Sequence, residues 1–217
     1  MSAAAPHARD FSGLHVLADD DPRWPGSPTE QARAAVAGGA RVVQLRAKHA
    51  TDAQQLAWAR EIRDLTRAHA VTFVVNDRFD LALLAEADAV HLGQGDLPPD
   101  RVPEPARAGL AIGRSTHTRE QLLSTVSEPV DYVAFGPLFG TTSKEHAFDA
   151  RGLDALAWAV EAVAPRPLVA IGGIDAARAP DVRAAGAAGF AVISAVAGAP
   201  DPSAATRALV SAWESPA

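Results

Sequence analysis

The sequence contains no cysteine, one tyrosine and one methionine, and only 6% of it is aromatic. The absence of cysteine excludes disulfides and thiolate metal sites and fits a reducing compartment. Basic clusters are missing as well, and the net charge is −6. Nucleic acid needs a basic face to hold its phosphate backbone, so it is not an expected partner. No stretch approaches the ~20 apolar residues of a membrane span. The opening residues, MSAAAPHARDF, lack the basic start and apolar core of a secretory signal. These absences point to a cytoplasmic protein with small-molecule partners, compatible with acting alone or as a homo-oligomer. With so few cations available, those that directly follow strands carry the most information.

What is present is a regular alternation. Short apolar runs at 14–18, 41–45, 73–75, 89–92, 110–112, 132–135, 167–171 and 190–193 read as strands. Helix-compatible segments separate them. Thr29 to Gly38 is alanine-rich and closes on Gly38-Gly39. Thr51 is a suitable N-cap for a helix to about His69, with Trp58, Ile62 and Leu65 at helical spacing. Further helices are expected over 78–86, 118–127, 153–163, 176–185 and 203–213, and the proline-broken stretch 98–108 allows one short helix.

Uniformly apolar strands suggest a parallel sheet covered on both faces. Eight βα units in 217 residues predict one (β/α)₈ TIM barrel spanning 1–217, with 1–12 as a flexible lead-in. Four segments, GGARVVQLR, EADAVHLGQ, PVDYVAFGP and AAGFAVISA, echo one another on the even-numbered strands. An open doubly wound sheet is the other reading, but its first turn is usually glycine-rich and this one is Asp19-Asp20-Asp21.

In such a barrel the chemistry sits where strands end. The second strand ends Gln44-Leu45-Arg46-Ala47-Lys48, and alternation places Gln44, Arg46 and Lys48 on one side. Two cations and an amide there suit a polyphosphate; a rim ion pair is the plainer alternative. The third strand ends in Asn76-Asp77, and the fourth in Gly93-Gln94-Gly95-Asp96. Two acids past consecutive strands suit a hard cation such as Mg²⁺, which takes one or two carboxylates and completes its shell with water and phosphate oxygens. His91, inside the fourth strand, reads as a hydrogen-bonded core histidine. Ser115 and His117 follow the fifth strand and can hold a phosphate oxygen and move a proton, or simply open the next helix. Thr141, Thr142, Ser143 and Lys144 form an anion-binding loop of lid length. Gly172-Gly173 and Ile193-Ser194 follow the last two strands, the usual phosphate position in barrels. The strand ends thus predict a diphosphate-plus-metal site beside a monophosphate site.

The ordered set VQLRAK, NDRFDLAL, ADAVHLGQGDLP, IGRSTHT, DYVAFGPLFGTTSK, AIGGI and AVISAV resembles the thiamine-phosphate synthase family from about Leu14 to Trp213. The resemblance implies a Mg²⁺-dependent transferase. It would join 4-amino-2-methyl-5-(hydroxymethyl)pyrimidine diphosphate to a thiazole (carboxythiazole) phosphate, giving thiamine phosphate and diphosphate. It implies that Gln44, Arg46, Lys48, Asn76 and Lys144 hold the pyrimidine diphosphate, with Arg46, Lys48 and Lys144 neutralising the leaving group. Asp77 and Asp96 would bind Mg²⁺, and Ser115 the pyrimidine substrate. Thr141, Ser143, Gly173, Ile193 and Ser194 would hold the thiazole phosphate. Ala47, Gly140 and Ser143 depart from the family pattern, although Ser143 keeps a hydroxyl. The segment 145–152 with GRSTH also resembles the sister thiazole tautomerases, in which a residue at the place of His117 transfers the proton.

Overall fold

A computed structural model describes residues 9–140 and 149–215. Eight parallel strands close into a barrel in sequence order. They are β1 (Gly13–Asp19), β2 (Val42–Arg46), β3 (Thr72–Asn76), β4 (Ala89–Leu92), β5 (Ala111–Thr116), β6 (Tyr132–Phe135), β7 (Leu168–Ile171) and β8 (Gly189–Val192). The ring closes where β1 pairs with β8, Gly13 opposite Gly189. The helices outside the ring are α1 (Pro28–Ala37), α2 (Asp52–Ala68), α3 (Phe79–Leu84), α4 (Glu104–Arg107), α5 (Arg119–Ser124), α6 (Gly152–Val163), α7 (Ala179–Ala184), α8 (Ser194–Ala197) and α9 (Pro202–Glu214). No described helix is long and apolar enough to cross a membrane.

Local chemistry starts these helices where the sequence predicts. Ser27 and Glu30 form a capping box ahead of α1, and the Thr51 and Thr118 side chains accept from the backbones of Gln54 and Gln121. Alternation along the strands sorts the core into two layers. Phe73 and Val75 of β3 face the helices, whereas Val74 points into the barrel with Leu17, Val42 and Ala89. The echo among the even strands also has a physical role. Asp88, just before β4, accepts from the Phe73 backbone at 2.8 Å, and Asp131, just before β6, accepts from Ile112 at 2.7 Å. Each acid fastens its strand to the previous one.

Several expectations need correction. β5 does not stop at Ile112 but runs on through Ser115 and Thr116. Gly113 does not break it, because the Tyr132 ring occupies the space a side chain would fill: a Cβ on Gly113 would lie 2.1 Å from that ring. The proline-rich stretch 98–108 holds a 3₁₀ turn, Pro99–Arg101, as well as α4. α8 directly follows β8, in a place where no helix was expected. The lead-in is anchored by its last residues. Phe11 is buried and stacks on Tyr132 with ring centroids 4.3 Å apart, and Thr72 Oγ1 donates to the Asp10 carbonyl at 3.1 Å. The barrel's lower opening needs an apolar plug, and this segment supplies it.

Candidate active site

The C-terminal ends of all eight strands form one face. On β2, Val42 belongs to the barrel interior, so Gln44 and Arg46 also point inward, as the alternation predicts. Gln44 is buried and Arg46 is half-buried. Arg46 Nη1 donates to Asp19 Oδ2 at 2.6 Å, and the Asp19 side chain is only 1% exposed. That carboxylate fixes the guanidinium at the mouth. Gln31 of α1 secures the end of β1, accepting from the Asp19 N–H and donating to its carbonyl. Asp20 then accepts from the backbone N–H groups of Lys48, His49 and Ala50 at 2.8–2.9 Å. The loop carrying Lys48 is therefore held by a single carboxylate.

Asn76 ends β3 opposite His91 of β4. Asp77 follows with φ of 65°, and its N–H donates to the His91 carbonyl at 2.8 Å. A non-glycine residue in this region costs on the order of 1 kcal/mol or more, and aspartate tolerates it better than most. The turn brings the Asp77 carboxylate to Lys48 Nζ, with which it pairs, and to Asp96. Burial raises the Asp77 carboxyl above the usual range. Hydrogen bonding to the Asp96 side chain raises it further, while Lys48 pulls the other way. Asp96 is itself aimed by the Gly93 N–H, which donates to Oδ2 at 2.6 Å. Among the described residues no three His, Asp or Glu side chains are grouped to hold a metal ion. The Asp77–Asp96 pair fits Mg²⁺ on its donor chemistry: two carboxylates, which such a cation takes while water and phosphate oxygens complete its shell.

Ser115 lies within β5 and is half-buried. Its carbonyl accepts from Gln94 Nε2 at 2.6 Å, and its Oγ lies 2.8 Å from His91 Nε2. His91 is buried and hydrogen-bonded, as expected of a core histidine. His117 Nδ1 donates to the Gly136 carbonyl at 2.8 Å, so the proton sits on Nδ1.

The ends of β7 and β8 form the other half of the mouth. Gly172 and Gly173 have φ of 102° and 65°. A Cβ on Gly173 would lie 2.6 Å from the Gly140 carbonyl and 2.8 Å from Phe139 Cβ. These glycines are needed because the β6 loop lies directly on them. That loop is clamped at its base, with Arg151 and Gly152 donating to the carbonyls of Pro137 and Leu138 at 2.9 and 3.0 Å. Thr141, Ser143 and Lys144 lie outside the described residues. Ile193 is buried and Ser194 opens α8.

The structure thus brings Gln44, Arg46, Lys48, Asn76, Asp77, Asp96 and Ser115 to the β2–β5 side of the mouth, and Gly173, Ile193 and Ser194 to the β7–β8 side. Sequence reasoning missed the supporting residues Asp19, Asp20, Gln31, Gln94 and Tyr132. The Asp19-Asp20-Asp21 run at the end of β1 was a readable signal for the first two. Nothing in one sequence marks Tyr132, which acts through packing.

Comparison with known proteins places the chain in a family. The family described as thiamine monophosphate synthase matches residues 14–196. Thiamine-phosphate synthase of Chloroflexus aurantiacus is 46% identical over 176 residues, 81% of each chain. That of Anaeromyxobacter dehalogenans is 44% identical over 216 residues, covering 98% of this chain and 93% of its own. The solved thiamine phosphate pyrophosphorylase of Pyrococcus furiosus superposes with a TM-score of 0.83 at 36% identity, covering 93% of this chain and 95% of that one. These relatives carry the synthase name, which favours the synthase over the tautomerase. With the match running through nearly the whole barrel, the chain belongs to the thiamine monophosphate synthase family.

Proposed function

We propose that this mouth couples the pyrimidine diphosphate to thiazole phosphate, releasing diphosphate and thiamine phosphate. The observation that carries the reading is the arrangement at the ends of β1 to β4. Two cations, Arg46 and Lys48, are each held by an aspartate, and the aspartate holding Lys48 is crowded by a second. A diphosphate would accept from both cations. Lys48 would exchange the Asp77 carboxylate for a phosphate oxygen, which leaves Asp77 and Asp96 to a divalent cation.

Gln44, Arg46, Lys48 and Asn76 bind and orient the diphosphate, with Lys144 added from the β6 loop. Ser115 contacts the pyrimidine substrate. Mg²⁺ held by Asp77 and Asp96 would supply Lewis-acid neutralisation of the leaving group. The scissile bond joins the pyrimidine methylene to a diphosphate oxygen. An electron-rich aminopyrimidine stabilises the positive carbon left behind, so departure runs ahead of attack. Arg46 and Lys48 stand where negative charge would develop, and such preorganised charges lower the barrier; Lys144 is assigned to the same task on its place in the sequence. The thiazole nitrogen then attacks the methylene, and no protein nucleophile takes part. The glycines after β7, with Ile193, Ser194, Thr141 and Ser143, would hold the thiazole phosphate by backbone and hydroxyl donors.

The test is a coupling assay with both phosphorylated substrates, reading thiamine phosphate by fluorescence after oxidation. Product that forms with Mg²⁺ and disappears with EDTA is the expected result. Turnover that is insensitive to EDTA would remove the metal from the reading. Aromatisation of carboxythiazole phosphate without coupling would transfer the chemistry to His117.

A further inference from the structure

Asn76, His91, Gly113 and Tyr132 stand opposite one another across β3, β4, β5 and β6. The missing side chain at Gly113 lets the Tyr132 ring lie across β5 and reach β4. There the phenol oxygen is 2.9 Å from His91 Nδ1. The other face of the imidazole reaches toward the mouth, with Nε2 2.8 Å from Ser115 Oγ. The three groups form one line from the apolar plug, where Tyr132 stacks on Phe11, to the substrate side of the barrel.

Donor and acceptor bookkeeping gives this line a direction. Tyr132 is 1% exposed, and His91 Nδ1 is its phenol's hydrogen-bond partner among the described residues. A buried O–H that does not donate carries the full desolvation penalty, so the phenol must donate to Nδ1. Burial, with Asp131 adding to it, raises the phenol well above its ordinary pKa, so this proton stays in place. Nδ1 is then an acceptor and the proton of the neutral ring sits on Nε2. Nε2–H donates to Ser115 Oγ. One of that oxygen's two lone pairs is then taken on the barrel side, and its own hydrogen, which cannot point back at the Nε2–H, is left to point into the mouth.

We propose that Tyr132 and His91 are positioning residues that set the Ser115 hydroxyl as a hydrogen-bond donor to the pyrimidine substrate. The relay has a chemical consequence. The opposite tautomer would draw the Ser115 proton back toward His91 and present lone pairs to the ligand, which disfavours a substrate that offers an acceptor there. The direction of the relay follows from the barrel interior alone. Its effect on substrate rests on the assignment of Ser115 to the pyrimidine site.

The experiment combines spectroscopy with kinetics on the full chain. Nitrogen-15 NMR of the histidine-labelled protein, with His91→Gln to assign the signal, should show His91 protonated on Nε2 and bare on Nδ1. A proton on Nδ1 would overturn the relay. Tyr132→Phe removes one oxygen and keeps the stack on Phe11. It should mix the two tautomers and raise KM for the pyrimidine diphosphate about fivefold, the scale of one hydrogen bond, while KM for thiazole phosphate stays put. A merely structural role would lower Tm without separating the two KM values. Ser115→Ala should raise the same KM, and adding Tyr132→Phe to it should then have no further effect. Equal effects of Tyr132→Phe in both backgrounds would overturn the proposal. If Ser115→Ala leaves the pyrimidine KM unchanged while the tautomer is as stated, the assignment of Ser115 to the substrate fails and the relay direction stands.

Discussion

The two ends of the barrel solve opposite problems with the same strands. At the lower end, Phe11, His15 and Tyr132 are buried, and the two polar rings have partners within the fold: His15 Nε2 donates to the Phe11 carbonyl at 2.8 Å, and the Tyr132 phenol reaches His91. At the upper end, Lys48 is exposed, Asp77 sits in left-handed backbone, and two carboxylates crowd each other. The lower end is arranged as a finished interior. The upper end is internally conflicted, and under the proposed function diphosphate and a cation relieve that conflict. Left-handed backbone occurs at both ends, at Ala70 and Glu86 below and at Asp77 above, but only above does it carry a carboxylate crowded by a second one, and that crowding marks the upper end as the candidate site.

The largest effects should come from the conflicted end. Asp77→Asn keeps a side chain that accepts left-handed backbone and removes the repulsion with Asp96. Coupling should fall by about 10²-fold or more, the scale of losing a charge placed for the transition state, with a steeply raised Mg²⁺ requirement. Thermal stability should hold or rise. An unchanged Mg²⁺ titration would take Asp77 out of the metal site. A clear drop in Tm together with full activity would reverse the roles assigned to the two ends.

The finished end should respond the other way. Phe11→Ala empties the plug beneath Tyr132, a loss of about 3 kcal/mol or more for a buried aromatic, and Tm should fall by roughly 10 °C. Measured well below the new Tm, kcat/KM should change far less than with Asp77→Asn. Calorimetry beside the coupling assay checks both halves. A Tm within a degree or two of the parent would mean that residues 9–12 do not seal the barrel.

The barrel itself was legible because its signals are local. Apolar runs of strand length, Thr51 and Thr118 at helix starts, and the turn at Asn76-Asp77 each declare themselves within a few residues. The charged half of the mouth was legible for the same reason, since alternation along β2 places Gln44 and Arg46 on the inner face. What one sequence hides is what acts across the barrel. Gly113 reads as a strand ending, yet β5 continues because Tyr132, on the next strand, fills the vacant space. Phe11 reads as part of a loose lead-in, yet it is buried in the barrel's inner cluster and stacks on Tyr132. Asp19 reads only as the first of an acidic run, and the pairing of β1 with β2 sets it against Arg46.

The comparison sharpens further in its pH dependence, where the two ends carry opposite signs. Burial pushes His15 down to about 4 from the usual 6.5. Below pH 6.5 the unfolded chain takes up that proton and the native state does not. Stability is therefore lost as pH falls from 6.5 to about 4, by about 3 kcal/mol for this group. Asp77 is raised instead, so as pH falls the native state takes up its proton first and gains relative to the unfolded chain. Denaturant unfolding between pH 7 and pH 4.5 should show a decline that His15→Gln flattens and Asp77→Asn steepens. A decline untouched by His15→Gln would mean that the lower end tolerates a charged imidazole, and with it that the plug is wetter than its packing shows.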